Sequence, residues 1–282
     1  MHNDDCYILH NREDAQLKKI LVMGLPGSGK TTLAAKIVPL IYPHCVHFNA
    51  DEVRSTVHND LGFSAEDRIK HAERLGWWSS TVIRSGAYVV TDFVCPLPEA
   101  RAAYAPDAVI WMNTINAGRY EDTNQMFVPP TIAELGTVPL IEIKNFDQVN
   151  SAEYLRTMIE LLTGWDAKAN TAMLIGRYQP FHEGHLGLVD EALRRVGQVY
   201  LAVRETGNTD SKNPFEFIEV QQRIRDTLNG RKNVVVGRVP NLTNVYYGRD
   251  VGYSIEYIEL SPELQAVSAT KIRQSIGLSS RK

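Results

Sequence analysis

Apolar residues along the chain fall into two kinds of run. Short continuous ones, KKILVMG from Lys18 to Gly24, VIWMNT, LIEIKNF and MLIGR, have the apolar content of buried strands. Longer ones recur with helical spacing. In SAEYLRTMIELLTG, Tyr154, Leu155, Met158, Ile159 and Leu162 line one side of a helix that Ser151 caps and Gly164 stops. A helical LAAKIVPLI follows the first strand, and another helix begins just after GRYQPFHEGH. Strands alternating with helices in this way predict an α/β fold. WDAKANT, between the helix ending at Gly164 and the strand MLIGR, carries neither period. A domain boundary is therefore expected at about residues 165–170, giving domains over 17–165 and 171–282.

Length supports two domains, since 282 residues are about twice the usual ~150. A composition of 44% hydrophobic and 22% charged residues is that of a globular chain. No apolar run approaches the roughly 20 residues of a spanning helix, so no membrane partner is expected. The opening MHNDDCYILHNRED is polar and acidic, which argues against a secretory signal and for a cytoplasmic protein. Cys6, Cys45 and Cys95 are odd in number and scattered, and suggest reduced thiols. A formal net charge of −3 disfavours charge-driven nucleic-acid binding and leaves small phosphorylated ligands, nucleotides in particular, as the expected partners. Oligomeric state is not legible, and no internal repeat or low-complexity segment stands out.

Chemistry enters where the first strand ends. GLPGSGKTT is a complete phosphate-binding loop in its required context of strand, glycine loop and helix. Gly24, Gly27 and Gly29 let the backbone aim N–H groups at phosphate oxygens, with Ser28 and Thr32 in the same cradle. Lys30 is expected to reach the β and γ phosphates of ATP, and Thr31 to ligate Mg²⁺. In HFNADEVR an apolar strand end delivers Asp51 beside that site, with Arg54 one helical turn later. Asp51 can accept the proton of an attacking hydroxyl while Arg54 neutralises an acceptor phosphate; as a bare fragment, Asp51 is also a plausible helix cap.

Together with NDLGFSAEDRIKHAERLG (residues 59–76) and FVCP, these segments resemble adenylylsulfate (APS) kinase over about residues 17–130. The resemblance implies a P-loop NTPase kinase fold that phosphorylates the ribose 3′-hydroxyl of adenylylsulfate with ATP. It makes Asp51 the general base, has Arg54 and Arg68 hold the acceptor's phosphate and Asn59 help position it, and stacks Phe63 on the acceptor base. Three departures stand out. NAD replaces the family's GDN at residues 49–51, TDFVCP replaces SFISP, and the basic lid motif is missing from INAGRYEDTNQMFVPP, where Arg119 is a substitute arginine. Asp92 is thus an unexpected carboxylate, open to two readings: a ligand to Mg²⁺ through water, or a solvated strand end.

GRYQPFHEGH resembles the signature of the HxGH nucleotidyltransferases, most closely nicotinamide mononucleotide (NMN) adenylyltransferase of the archaeal type. This implies a Rossmann-like C-terminal fold. His182 and His185, three apart, can donate to phosphate oxygens as charge moves onto leaving pyrophosphate, while Gly184 admits the nucleotide and Arg177 and Gln179 flank it. Zinc ligation by these histidines lacks a Cys partner and an HExxH pattern. SATKIR resembles the family's second signature and implies that Ser268, Thr270 and Arg273 bind the triphosphate. KNPF resembles the NPF segment of the nicotinamide enzymes and offers Asn213 to the substrate; Arg249, in YYGRDVGY, is a further substrate or phosphate contact. The expectation is a bifunctional enzyme, an APS kinase-like phosphotransferase joined to an enzyme transferring AMP or CMP to a phosphate-bearing acceptor. Two alternatives remain open: a nicotinamide riboside kinase with an NMN adenylyltransferase, and a nucleotide-binding regulator with a decayed kinase site.

Overall fold

The computed structural model describes residues 18–275 except 208, 229, 230, 232, 247, 249–251 and 253. These residues divide into two compact units between Ala167 and Lys168, each with its own parallel sheet.

The first unit runs β1 (Lys19–Met23), α1 (Lys30–Ile37), β2 (Cys45–Asn49), α2 (Ala50–Thr56), α3 (Ala65–Ser85), β3 (Tyr88–Asp92), α4 (Pro98–Tyr104), β4 (Ala108–Met112), α5 (Glu121–Met126), α6 (Ile132–Leu135), β5 (Leu140–Ile143) and α7 (Ala152–Thr163). Its strands lie in the order β2-β3-β1-β4-β5. Central β1 is covered on both faces, which is why KILVM reads as one apolar run. Ile20 and Val22 pack with Leu33 and Ile37 of α1 and Met158 and Leu162 of α7. Leu21 and Met23 face Ala72 and Leu75 of α3 and Tyr104 of α4. Strand order reverses at β1, with β3 on one side and β4 on the other, and the carboxyl ends of these strands open onto the crevice where ligands of such sheets bind.

Local signals act as expected, with one shift. The helix anticipated at LAAKIVPLI begins earlier, at Lys30, and yields at Ile37 to a single 3₁₀ turn, Val38–Leu40, because Pro39 has no N–H to continue it. Ser151 accepts the Tyr154 N–H at 3.2 Å to cap α7, whose Leu155, Met158, Ile159 and Leu162 are buried. Ser64 caps α3 through the Asp67 N–H at 3.1 Å.

The second unit runs β6 (Ala172–Gly176), α8 (Glu183–Val196), β7 (Val199–Arg204), α9 (Phe217–Leu228), β8 (Val234–Val239), α10 (Pro262–Gln265) and α11 (Ala269–Ser275). Strand order is β6-β7-β8. Two successive βαβ crossovers bury Val189 and Ala192 of α8 and Val220 and Ile224 of α9 against Leu201, Val203 and Val236. Cys45 and Cys95 are free thiols, and Cys6 lies outside the described residues. Among the described residues no helix is long and apolar enough to cross a membrane.

Arg101 of α4 is 1% exposed, and burial of a guanidinium is tolerable only if its donors are met. Two reach Glu134 of α6, at 2.5 and 2.7 Å, and Nη1 donates to the carbonyls of Cys95 and Val128 at 3.1 and 3.0 Å. Arg101→Ala should destabilise this unit by about 3 kcal/mol, the low end for a broken buried pair because Glu134 stays partly open to water. All four tryptophans precede residue 168, so urea unfolding followed by tryptophan fluorescence reports this unit alone. An unchanged midpoint would refute the stabilising role of these contacts.

Candidate functional site

In the first unit the phosphate loop is shaped by backbone that only glycine adopts without strain. Gly24, Gly27 and Gly29 have φ of 145°, 95° and 96°. Lys30 Nζ folds back to donate to the Leu25 carbonyl at 3.0 Å. Burial lowers the lysine pKa, opposed by the charges of Asp51 and Asp92, so one cation and two carboxylates share this end of the sheet.

Asp92 settles one open reading, for it is 3% exposed and no solvated strand end. Parallel pairing sets it opposite Asn49, and Asn49 Nδ2 donates to its oxygens at 3.3 and 3.2 Å. His47 Nε2 lies 2.6 Å from Oδ1, and the Thr31 hydroxyl donates to Oδ2 at 2.6 Å. Asn49 also accepts the Glu52 N–H at 2.9 Å, so Asn49 and not Asp51 caps α2. Thr31 and Asp92 bring two hard oxygen donors together beside the phosphate loop, a set suited to Mg²⁺. Sequence reasoning missed His47 and Asn49. Their spacing of two along β2, in register with the end of β3, was the available signal.

A cavity of about 30 Å³ lies between Asp51, Arg54, Phe63, Arg68, His71 and Phe93. Arg54 donates to the Gly62 carbonyl with its guanidinium 5.0 Å from the Phe63 ring centre. Arg68 stands 5.5 Å from the same ring and donates to the Phe63 carbonyl at 2.9 Å. Both arginines therefore gather at Phe63, itself 62% exposed. Asn59 is exposed and not among the cavity's lining residues; its neighbour His58 is the one turned inward, with Nδ1 2.8 Å from His71 Nδ1. Burial, then the charge of Arg54, pushes His71 down to about 3, so its ring is neutral at physiological pH. Arg119 is exposed, as is Thr32, while Ser28 is buried within the loop.

In the second unit His182 is the N-cap of α8, its Nδ1 accepting the Gly184 N–H at 3.2 Å. His185 stacks on it with ring centres 3.8 Å apart, and Tyr178 and Phe181 pack around His185 at 5.0 and 5.4 Å. His185 Nδ1 is buried with no hydrogen-bond partner. Gln179 has a different task from the one expected: its amide closes on Phe215, accepting the backbone N–H at 3.0 Å and donating to the carbonyl at 2.8 Å. It holds the NPF segment in place. What Gly184 admits here is α10, for a Cβ would stand 3.1 Å from the Leu264 carbonyl oxygen. Arg177 Nη1 reaches Asn213 Oδ1 at 3.3 Å. Arg273 donates to the Gln179 carbonyl at 2.5 Å and to Thr270 at 3.1 Å, and Ser268 Oγ accepts the Lys271 N–H at 3.2 Å. The HxGH loop and the SATKIR helix, far apart in sequence, thus meet. Arg249 and its neighbour Asp250 lie outside the described residues.

Residues 16–109 match the family model for adenylylsulphate kinase, and residues 173–237 match the model for cytidylyltransferase-like proteins. A probable adenylyl-sulfate kinase from Aeropyrum pernix is 35% identical over 85 residues, 29% of this chain and 46% of that one. An adenylyl-sulfate kinase from Oceanobacillus iheyensis is 35% identical over 94 residues, 31% of this chain and 47% of that one. The chain spans about half the length of these curated relatives. A solved bifunctional NMN adenylyltransferase/ADP ribose pyrophosphatase from Francisella tularensis is 32% identical over 26% of this chain and 23% of its own, with a TM-score of 0.24.

Burial, then the proximity of His182, lowers His185 from its ordinary 6.5 to about 4. The unfolded chain therefore binds a proton that the folded one refuses between those values. The stabilisation is whole above pH 6.5 and is lost as pH falls through about 4. Calorimetry at pH 7 and pH 5 should show wild type losing more of its melting temperature than His185→Asn; equal losses would refute the buried neutral ring.

Proposed function

We propose that this chain, an adenylylsulfate kinase-type domain followed by a cytidylyltransferase-like domain, is a bifunctional enzyme of nucleotide metabolism. In this reading the second domain joins AMP or CMP to a phosphate-bearing acceptor such as NMN. The first then phosphorylates the ribose 3′-hydroxyl of a nucleotidyl conjugate related to adenylylsulfate. The observation that carries the proposal is the convergence of Lys30, Asp51 and Asp92 at a phosphate loop, next to a cavity walled by two arginines. A decayed site would not keep all three charged groups together.

In the kinase step the acceptor hydroxyl loses its proton to Asp51 while its oxygen bonds to the γ-phosphorus and the bond to the β-phosphate oxygen breaks, releasing ADP. Lys30 leaves the Leu25 carbonyl to meet the β and γ phosphates. Arg54 and Arg68 turn from the Phe63 ring to the acceptor's phosphate, Arg68 keeping its Nε bond to the Phe63 carbonyl, and leave the exposed ring to an acceptor base. Mg²⁺, held by Thr31 and Asp92, would neutralise charge between the transferring phosphates.

In the nucleotidyl step an acceptor phosphate oxygen attacks the α-phosphorus of ATP or CTP, and the bond to the β-phosphate oxygen breaks to release pyrophosphate. His182 and His185 donate to the phosphates as charge moves outward, and Arg273, beside Thr270 and Ser268 at the start of α11, neutralises them. His185 is suited to this because burial keeps its ring neutral beside His182 at the start of α8. Small nucleotides are the partners this reading requires, and the cytoplasm is where they abound.

Pyrophosphate release with ATP or CTP and NMN should fall about 100-fold in His185→Ala, the usual cost of a lost transition-state donor. Lys30→Ala should leave pyrophosphate release intact and abolish phosphoryl transfer from ATP to adenylylsulfate, as should Asp51→Ala. Turnover of nicotinamide riboside in place of adenylylsulfate would shift the kinase half to salvage of that nucleoside. Transfer that survives Asp51→Ala would remove the general base from the scheme.

A further inference from the structure

The segment between β4 and α6, which lacks the basic lid motif, is held at three places by polar contacts that the kinase chemistry above does not use. At its start, the Thr114 hydroxyl donates to the Ser28 carbonyl of the phosphate loop at 2.7 Å. Gly118 then lies directly on the same loop: a Cβ there would stand 2.8 Å from Pro26 Cδ and 3.0 Å from the Pro26 carbonyl oxygen. Asn124 locks this contact, accepting the Gly118 N–H at 2.8 Å and donating to the Gly118 carbonyl at 3.0 Å. One residue earlier, on the same turn of α5, Thr123 is 3% exposed and accepts from Arg68 Nη2 at 3.0 Å. At the far end the Val128 N–H donates to the carbonyl of Pro96, a residue lining the acceptor cavity, at 2.8 Å.

We infer that residues 114–128 form a strap coupling the phosphate loop to the acceptor cavity, in which Thr123 is a positioning residue for Arg68 and Asn124 fixes the strap to the loop. The inference rests on the kinase reading and deepens it. Arg68 is anchored by two bonds, Nε to the Phe63 carbonyl and Nη2 to Thr123, and neither uses Nη1. A guanidinium held along one edge keeps its plane when it turns from Phe63 to an acceptor phosphate, and a bidentate grip depends on that plane. Asp122, next to Thr123, opposes the lowering of the Arg68 pKa by burial. Adjacent residues of one helix thus hold the two substrate sites in register: Asn124 through Gly118 on the donor side, Thr123 through Arg68 on the acceptor side.

The test is steady-state phosphoryl transfer by the full chain, with ATP and adenylylsulfate, and with nicotinamide riboside as second acceptor. Thr123→Val should raise the acceptor KM ~10-fold, the usual effect of losing a hydrogen bond to a charged group, and leave the ATP KM unchanged. Thr123→Ser should restore it. Asn124→Ala should raise both KM values. Tryptophan fluorescence melts check that the variants fold. An unchanged acceptor KM in Thr123→Val overturns the positioning role while the kinase reading stands, and so does a rise in both KM values that serine does not rescue. Absence of transfer by wild type to either acceptor overturns the kinase reading and the inference with it.

Discussion

The N-terminal site is organised by the cost of burying one carboxylate. Asp92 is almost wholly removed from water, and an ionised group there is tolerated only when its lone pairs are met. Two elements meet them, β2 through His47 and Asn49 and α1 through Thr31, while β3 carries the aspartate itself. Satisfying Asp92 therefore fixes the end of β2 against the start of α1. Since Asn49 also caps α2, the same interaction sets where Asp51 and Arg54 begin their helix. The geometry of the proposed base and acceptor arginine is inherited from a hydrogen-bond network whose purpose is to make one charge affordable.

The second unit meets a similar demand by the opposite means. Among the described residues no buried carboxylate stands beside the two histidines; burial lowers the pKa of both imidazoles, and Tyr178 and Phe181 pack around His185. Neutral donors can face a triphosphate without a standing charge to desolvate, and they gain strength as negative charge accumulates on the leaving group. The backbone shows what this arrangement demands: Tyr178, just before the loop, has φ of 53°, a left-handed conformation that a bulky residue adopts only when packing imposes it.

Local signals in the sequence located both centres, because each consists of consecutive residues whose spacing is itself the function. The order of strand, glycine loop and helix around GLPGSGKTT and the helix that follows GRYQPFHEGH are found as read for that reason, as is the cap Ser151, whereas the cap Ser64 was not singled out. What stayed hidden depends on neighbours distant in sequence. Asn59 and His58 are adjacent in a turn without periodicity, so nothing local says which one is buried. Gln179 looked like a ligand contact, yet its amide closes on Phe215, a pairing that only the packed loop reveals. His47, His71 and Thr123 gain meaning from strand register or helix docking. The strap was least legible of all, since INAGRYEDTNQMFVPP has no hydrophobic period and its tethers are side chains reaching backbone atoms.

Joining these two chemistries in one chain has a rationale in the bonds themselves. Nucleotidyl transfer to a phosphate-bearing acceptor makes a phosphoanhydride and leaves the ribose hydroxyls of the transferred nucleotide free. In the proposed scheme the cavity with its two arginines and aromatic ring suits an acceptor that has both a charged bridge and a base, and such a conjugate carries them together. The nucleotidyl step is close to reversible because one anhydride replaces another, whereas phosphorylation of a ribose hydroxyl by ATP exchanges an anhydride for an ester and runs downhill. Coupling the second reaction to the first would draw the conjugate forward without any need for tight binding of the intermediate. By this logic the selectivity of the pair belongs to the kinase cavity, and the orientation of Arg68 is where it would be exercised.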